Sequence, residues 1–179
     1  MAKPFFDVFP TLHIKSDLRA LFQDTQVTRV AFNRDRTRLK VYLESRHLIH
    51  KTNIYRMEEE IAKAAFPGSS TSVLICEQFV LSAQYTPQIL MEEYLDSLQT
   101  EIWHFSPVIG SFFREAVFAY PDPDTVILQL EDSVICQEKG EKLRGMLDQI
   151  FHERCGIPVR FETEYSLPVH HRAKAQLEE

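Results

Sequence analysis

Eight basic residues crowd between Thr28 and Arg56: Arg29, Arg34, Arg36, Arg38, Lys40, Arg46, Lys51 and Arg56. Asp35 and Glu44 are the only acids there, so this segment carries +6 in a chain of net charge −6, and the remainder carries −12. Such a stripe is either a solvated hairpin face or an electrostatic footprint for phosphate or an acidic partner. Arg34, Arg36, Arg38 and Lys40 are the candidate contacts. Tyr42 and Trp103 are the candidate rings on which unpaired bases could stack. A second candidate is Phe5, Phe6 and Phe9 in the opening MAKPFFDVFP. These rings either close the edge of a core or form a short aromatic docking motif, because large rigid rings dominate interface energy. Trp103-His104-Phe105 reads first as a core aromatic cluster joining two helices, with a base-stacking platform as the alternative.

Catalytic chemistry is scarce. There is no GxxxxGK[ST] and no GxGxxG, and five glycines leave little from which to build phosphate-cradling loops. His152-Glu153 begins like HExxH, but Gly156 stands where the second zinc ligand belongs. His47 and His50 are spaced i, i+3 without a third ligand, and zinc needs three or four. His170 and His171 are adjacent in a polar tail. Glu58-Glu59-Glu60 reads as a solvated helix face, and Asp122 and Asp124 as turn chemistry. No catalytic, metal-binding or cofactor-binding residue is assigned, and no cofactor is expected for these residues. Cys76, Cys136 and Cys155 are odd in number and form no CxxC, which points to a reducing cytosol.

The elements that position these residues follow from periodicity. The chain of 179 residues is 44% hydrophobic and 26% charged, enough for one ordinary domain or two small ones. No run of 18 apolar residues predicts a membrane span, and no signal peptide precedes the first element. In the first half, Ser16 is the expected cap of a short helix through Leu18, Leu21 and Phe22. Val30 and Phe32 mark a strand, residues 33–37 a turn, and Leu39, Val41 and Leu43 the next strand. Thr52 or Asn53 caps a helix with Ile54, Met57, Ile61 and Ala65 inward, ended by Pro67-Gly68. Residues 73–81 are an apolar strand interrupted by Glu77 and Gln78.

In the second half, Thr86-Pro87 opens a helix lined by Leu95, Leu98, Ile102 and Phe105. Ser106-Pro107 opens another, with Val108, Ile109, Phe112, Phe113 and Ala116 as its stripe. Residues 117–131 form a hairpin with Val126, Leu128 and Leu130 inward. The stretch from Gly140 to Tyr165 organises this half. Leu143, Met146, Leu147, Ile150 and Phe151 make one helical stripe. Gly156 and Pro158 stop it, and Val159, Phe161 and Thr163 start a return strand. The expected class is α+β, as two small α/β-sandwich domains. They span residues 1–84 and 85–166, and 167–179 begins a linker. No internal repeat is visible.

The order and spacing of these elements resemble a known family. Val27–Phe32, Leu39–Leu43, His47-Leu48-Ile49 and the Ile54–Phe66 helix are similar to the first N-terminal domain of PolC-type DNA polymerase III. Tyr94–Leu98, Ser106–Ile109, the Thr125–Leu128 strand, Leu143–Phe151 and Gly156–Val159 resemble its second N-terminal domain. That second half is also similar to the C-terminal domain of the clamp-loader tau subunit, which implies a KH-like helix-helix-strand-strand-helix-strand order. A KH domain grips nucleic acid with GxxG, which is missing here, so protein contact is favoured. The resemblance implies a non-catalytic module that tethers a cytoplasmic DNA-directed DNA polymerase with 3'-5' exonuclease inside the replisome. A replisome protein such as the clamp-loader tau subunit is the implied partner. A weak DNA contact through the basic Arg29–Arg56 face is compatible with it, and a single-stranded nucleic-acid-binding module is the alternative function. No membrane contact is expected.

Overall fold

The computed structural model describes residues 1–166. The expected linker at 167–179, with His170 and His171, lies outside the described residues. The described residues divide into two compact units, Met1–Ser82 with Arg154–Gly156, and Ala83–Glu153 with the residues from Ile157 on.

The first unit begins with β1 (Lys3–Pro4), α1 (Phe5–Val8) and α2 (Ser16–Phe22), followed by β2 (Gln26–Phe32) and β3 (Arg38–Ser45). Next come α3 (Lys51–Ala65) and β4 (Ser72–Phe79). The sheet order is β1-β2-β3-β4, antiparallel except for the parallel β3/β4 pair. A parallel neighbour cannot be reached by a tight turn, so α3 serves as the crossover. Leu39, Val41 and Leu43, Val73, Ile75 and Phe79, and Ile54, Met57 and Ile61 are all buried. They form one core between α3 and the sheet, each burial worth about 1.5–3 kcal/mol.

The second unit runs α4 (Pro87–Phe105), α5 (Pro107–Glu115), β5 (Val117–Asp122), β6 (Thr125–Glu131), α6 (Val134–Gln149), a π turn (Ile150–Arg154) whose last residue, Arg154, belongs to the first unit, and β7 (Arg160–Ser166). This is the expected helix-helix-strand-strand-helix-strand order, and the α+β class holds. The sheet order is β5-β6-β7, with β5/β6 antiparallel and β6/β7 parallel. Helix, hairpin, crossover helix, parallel strand therefore occurs twice, as α2-β2-β3-α3-β4 and α5-β5-β6-α6-β7. The sequence shows no repeat, because many residue sets can satisfy the same inward-outward alternation.

Several expectations need correction. Organising helix α6 starts at Val134, well before Gly140, because the Ser133 hydroxyl accepts from the Cys136 N–H at 3.1 Å. Polar Gln137, Glu138 and Lys139 mask that first part of its apolar stripe. Lys15, not Ser16, occupies the cap position of α2, without a side-chain cap bond. His50, not Thr52 or Asn53, caps α3, its Nδ1 accepting from the Thr52 N–H at 3.1 Å. Ala65 is exposed and Met146 only half-buried. The inner face of α4 is Leu90, Met91, Tyr94, Ser97, Leu98 and Ile102. Phe105 and Val108 are exposed instead of inward. Both sit where the chain turns from one helix into the next, and periodicity gives no information on facing there. As expected, Gly156 takes φ +64° at the end of the helical segment. Among the described residues no helix is long and apolar enough to cross a membrane.

Candidate functional site

In an antiparallel pair, directly opposed residues share a face, and in a parallel pair register partners do too. Arg29 opposes Tyr42 and Ala31 opposes Lys40; Arg38, Lys40 and Tyr42 are in register with Ser72, Leu74 and Cys76. All of these lie on the sheet face opposite buried Leu39, Val41 and Leu43. The face is open, with Arg29, Arg38 and Lys40 exposed and Tyr42 half-buried. The Arg29 guanidinium lies 4.2 Å from the Tyr42 ring centroid, a stacked cation–π contact.

The β2–β3 turn extends this surface. Asn33 Oδ1 accepts from the Arg38 N–H at 2.9 Å and Asn33 Nδ2 donates to Thr37 Oγ1 at 2.8 Å. Arg36 takes φ 56°, a left-handed conformation uncommon outside Gly and Asn. The turn is thus pinned by side-chain bonds, and it presents Arg34 and Arg36 to solvent. The structure therefore gathers Arg29 with all four proposed contacts, Arg34, Arg36, Arg38 and Lys40, around one hairpin. It removes two other members of the basic segment. Arg56 pairs with Asn53 and Asp17, and Lys51 is buried.

Lys51 belongs to a charge cluster that the sequence hides. Its Nζ donates to Glu77 Oε1 at 2.8 Å, both side chains being almost fully enclosed. Glu77 alternates with Val73, Ile75 and Phe79, so it points into the core and does not interrupt the strand. Its Oε2 is buried without a hydrogen-bond partner, and the nearest guanidinium, from Arg154, is 3.9 Å away. Glu58 completes the cluster, and it is not the solvated residue expected of Glu58-Glu59-Glu60. Its Oε1 accepts from the Ile75 N–H at 3.0 Å, which shields the open edge of β4.

Burial pushes the Glu58 carboxyl up to about 7, with the Glu77 charge adding to the rise and the Ile75 N–H and Lys51 opposing it. The native chain therefore keeps this proton where the unfolded chain has released it. Between its ordinary 4.5 and about 7, this group makes stability fall as pH rises. Glu58→Gln keeps an acceptor for Ile75 and removes the half-buried charge. It should raise stability at pH 8 by about 1 kcal/mol, discounted for partial solvation, and change little below the lower limit of that window. Thermal melts at pH 8 and below the window measure the difference.

The aromatic candidates divide. Phe5 is fully buried, its ring 5.1 Å from those of Phe6 and Phe22 and 5.2 Å from that of Phe9. It has no surface to offer a partner, whereas Phe6 and Phe9 are half-buried. Trp103 and Phe105 do not form a core cluster, being 41% and 56% exposed. Trp103 packs against Gly110 and carries Arg114 at 4.8 Å from its ring centroid. Lys142 lies 5.3 Å from the Phe105 centroid. Trp103 and Tyr42 thus each carry a guanidinium on the ring, and Trp103 differs in packing against the glycine of the neighbouring helix.

The other candidates resolve into local structure. His152 Nε2 lies 2.8 Å from the Val159 carbonyl. The Asp122 carboxylate accepts from the Asp124 N–H and the Thr125 hydroxyl, each at 2.9 Å. These bonds hold its pKa below the usual range. Among the described residues no three His, Cys, Asp or Glu side chains come together to hold a metal ion.

Residues 4–75 match the family described as DNA polymerase III polC-type N-terminus I. The resemblance read from the first half of the sequence is borne out over this stretch. The polC-type match begins at the last residue of β1, takes in α1 through α3 with the whole basic hairpin, and ends inside β4. No curated protein and no solved structure matches the chain.

Proposed function

We propose that the chain is a non-catalytic interaction module from the N-terminal region of a polC-type replicative DNA polymerase, tethering that enzyme to its replisome. The parent, on this reading, is a cytoplasmic DNA-directed DNA polymerase with 3'-5' exonuclease. The observation that carries the reading is the polC-type match over residues 4–75. The second unit supports it by what it leaves uncovered. Val134, 78% exposed, and Ile135 sit side by side in the first turn of α6, and Phe105 and Val108 flank the α4–α5 corner. Exposed large apolar side chains at this density fit a surface that meets another protein. The partner proposed is the clamp-loader tau subunit. The choice of tau rests on the resemblance of the second half of the sequence to the tau C-terminal domain.

Titration calorimetry of the purified chain with the purified tau subunit of the same bacterium tests this. Micromolar or tighter binding is expected, with Val134→Glu/Ile135→Glu weakening it by about tenfold, the equivalent of ~1.4 kcal/mol. Both side chains are exposed, so the variant folds. Absence of a complex at about 100 µM of each protein would overturn the reading.

A further inference from the structure

We propose that the outer face of the first sheet is a binding site for an unpaired nucleic-acid strand, held by Arg29, Arg38 and Lys40 and stacked on the Arg29–Tyr42 pair. This does not rest on the docking role above, and either can fail alone.

Three observations carry it. The five cations Arg29, Arg34, Arg36, Arg38 and Lys40 are exposed, and none makes an ion pair among the described residues. On this hairpin the acids are Asp35 and, two residues beyond Tyr42 on the same face of β3, Glu44, so the five cations outnumber them and the net field is positive. The fold itself does not demand those cations. In the second unit, which repeats the hairpin-and-crossover topology, the equivalent outer face carries Ile127 and Gln129 beside Glu162 and Glu164, with Arg160 on the same face paired to Glu162, a net negative balance. The same scaffold thus presents an anionic face in one unit and a cationic face in the other.

The arrangement also suits unpaired bases better than a smooth phosphate surface or an acidic peptide. Arg38 and Lys40 are two residues apart on one strand, about 7 Å, and both reach away from the core. Arg29 sits one strand over, its guanidinium already parked on the Tyr42 ring at 4.2 Å. A guanidinium plane and an aromatic ring are the two surfaces on which proteins stack splayed bases. The half-buried neighbours Leu74 and Cys76 give this row an apolar floor. A carboxylate-rich peptide would use the cations but not the stack.

The test is fluorescence anisotropy of the intact chain with labelled oligo(dT) and oligo(rU) of about 20 nucleotides, over a salt series. Binding of either strand at low salt is expected, and the tighter one tells DNA from RNA. The slope of log K against log salt should be roughly −2, since each phosphate neutralised on a single strand contributes about −0.7. Arg38→Glu/Lys40→Glu should lose at least about tenfold. Lys15→Glu/Lys63→Glu, an equal charge change elsewhere on the unit, should lose less than about twofold. Arg29→Lys should lose about fivefold with the slope unchanged, because it keeps the charge and removes the stacking plane. All these side chains are exposed, so unchanged melts will show that the variants fold. The proposal is overturned if no strand binds at low salt, or if the control variant loses as much as the outer-face variant. It is also overturned if a duplex of equal length binds as tightly, or if polyglutamate displaces the strand at equal charge concentration.

Discussion

Gly110→Ala should lower the melting temperature of the second unit by about 10–20 °C, the largest effect expected of any single methyl group in this chain. A Cβ at position 110 would fall 2.7 Å from Trp103 Cα, 2.9 Å from its Cε3 and 3.0 Å from its Cβ. The first of these atoms is backbone and cannot rotate aside. Relief requires α4 and α5 to separate, and their junction has no slack. Ser106 is at once the residue that ends α4 and the one whose hydroxyl accepts from the Ile109 N–H to start α5. Overpacking typically costs about 1–3 kcal/mol, and a backbone clash belongs at or above the top of that range. Each kcal/mol shifts a unit of this size by about 4–8 °C. Gly145→Ala is the control. Nothing lies within 4 Å of a Cβ there, so alanine in mid-helix should stabilise by about 0.5–1 kcal/mol. Calorimetric melts of the two variants should move in opposite directions. A Gly110→Ala protein that melts with the wild type would show that α4 and α5 do not cross this closely.

Lys51→Met should be comparably damaging in the first unit. It leaves the Glu77 carboxylate enclosed in the core without its 2.8 Å donor. Arg154, 3.9 Å from the other oxygen, is too far to hydrogen-bond and replaces the lost charge only in part. Removing one member of a buried pair costs about 3–5 kcal/mol, most of it the uncompensated charge that stays behind. Removing both members is a different experiment. Lys51→Met/Glu77→Met fills similar volume with apolar atoms and should return to within about 1 kcal/mol of the wild type. The double-mutant cycle, followed by urea unfolding, therefore predicts a coupling of several kcal/mol. Equal losses in the single and double variants would mean that packing around residue 51, and not the ion pair, is what matters.

The elements that sequence reading located well are those with local causes. The alternation in β3, the Asn33–Thr37 turn, the Thr86 and Ser106 caps and the Gly156 stop each depend on residues within a turn of one another. Their hydrogen bonds are the ones residue type suggests: Thr86 Oγ1 accepts from the Ile89 N–H at 3.2 Å and Ser106 Oγ from the Ile109 N–H at 3.3 Å. The basic hairpin was legible for the same reason, since strand parity places Arg38 and Lys40 on one face before any contact is known.

What stayed hidden needed partners distant in the chain. Glu77 looked like a break in a strand because its counter-charge, Lys51, lies 26 positions earlier, in what read as a basic surface. Glu58 looked solvated among three acids because the edge amide it covers belongs to β4, 17 residues away. Periodicity placed Phe105 inside and said nothing against it, because only the corner between α4 and α5 turns that ring outward. Residue order could thus name the strands, the caps and the cationic hairpin, whose energetics close over a few residues. Which charges are buried, which rings are free and that one topology occurs twice were decided by the folded chain, because those depend on desolvation and packing between elements no local pattern connects.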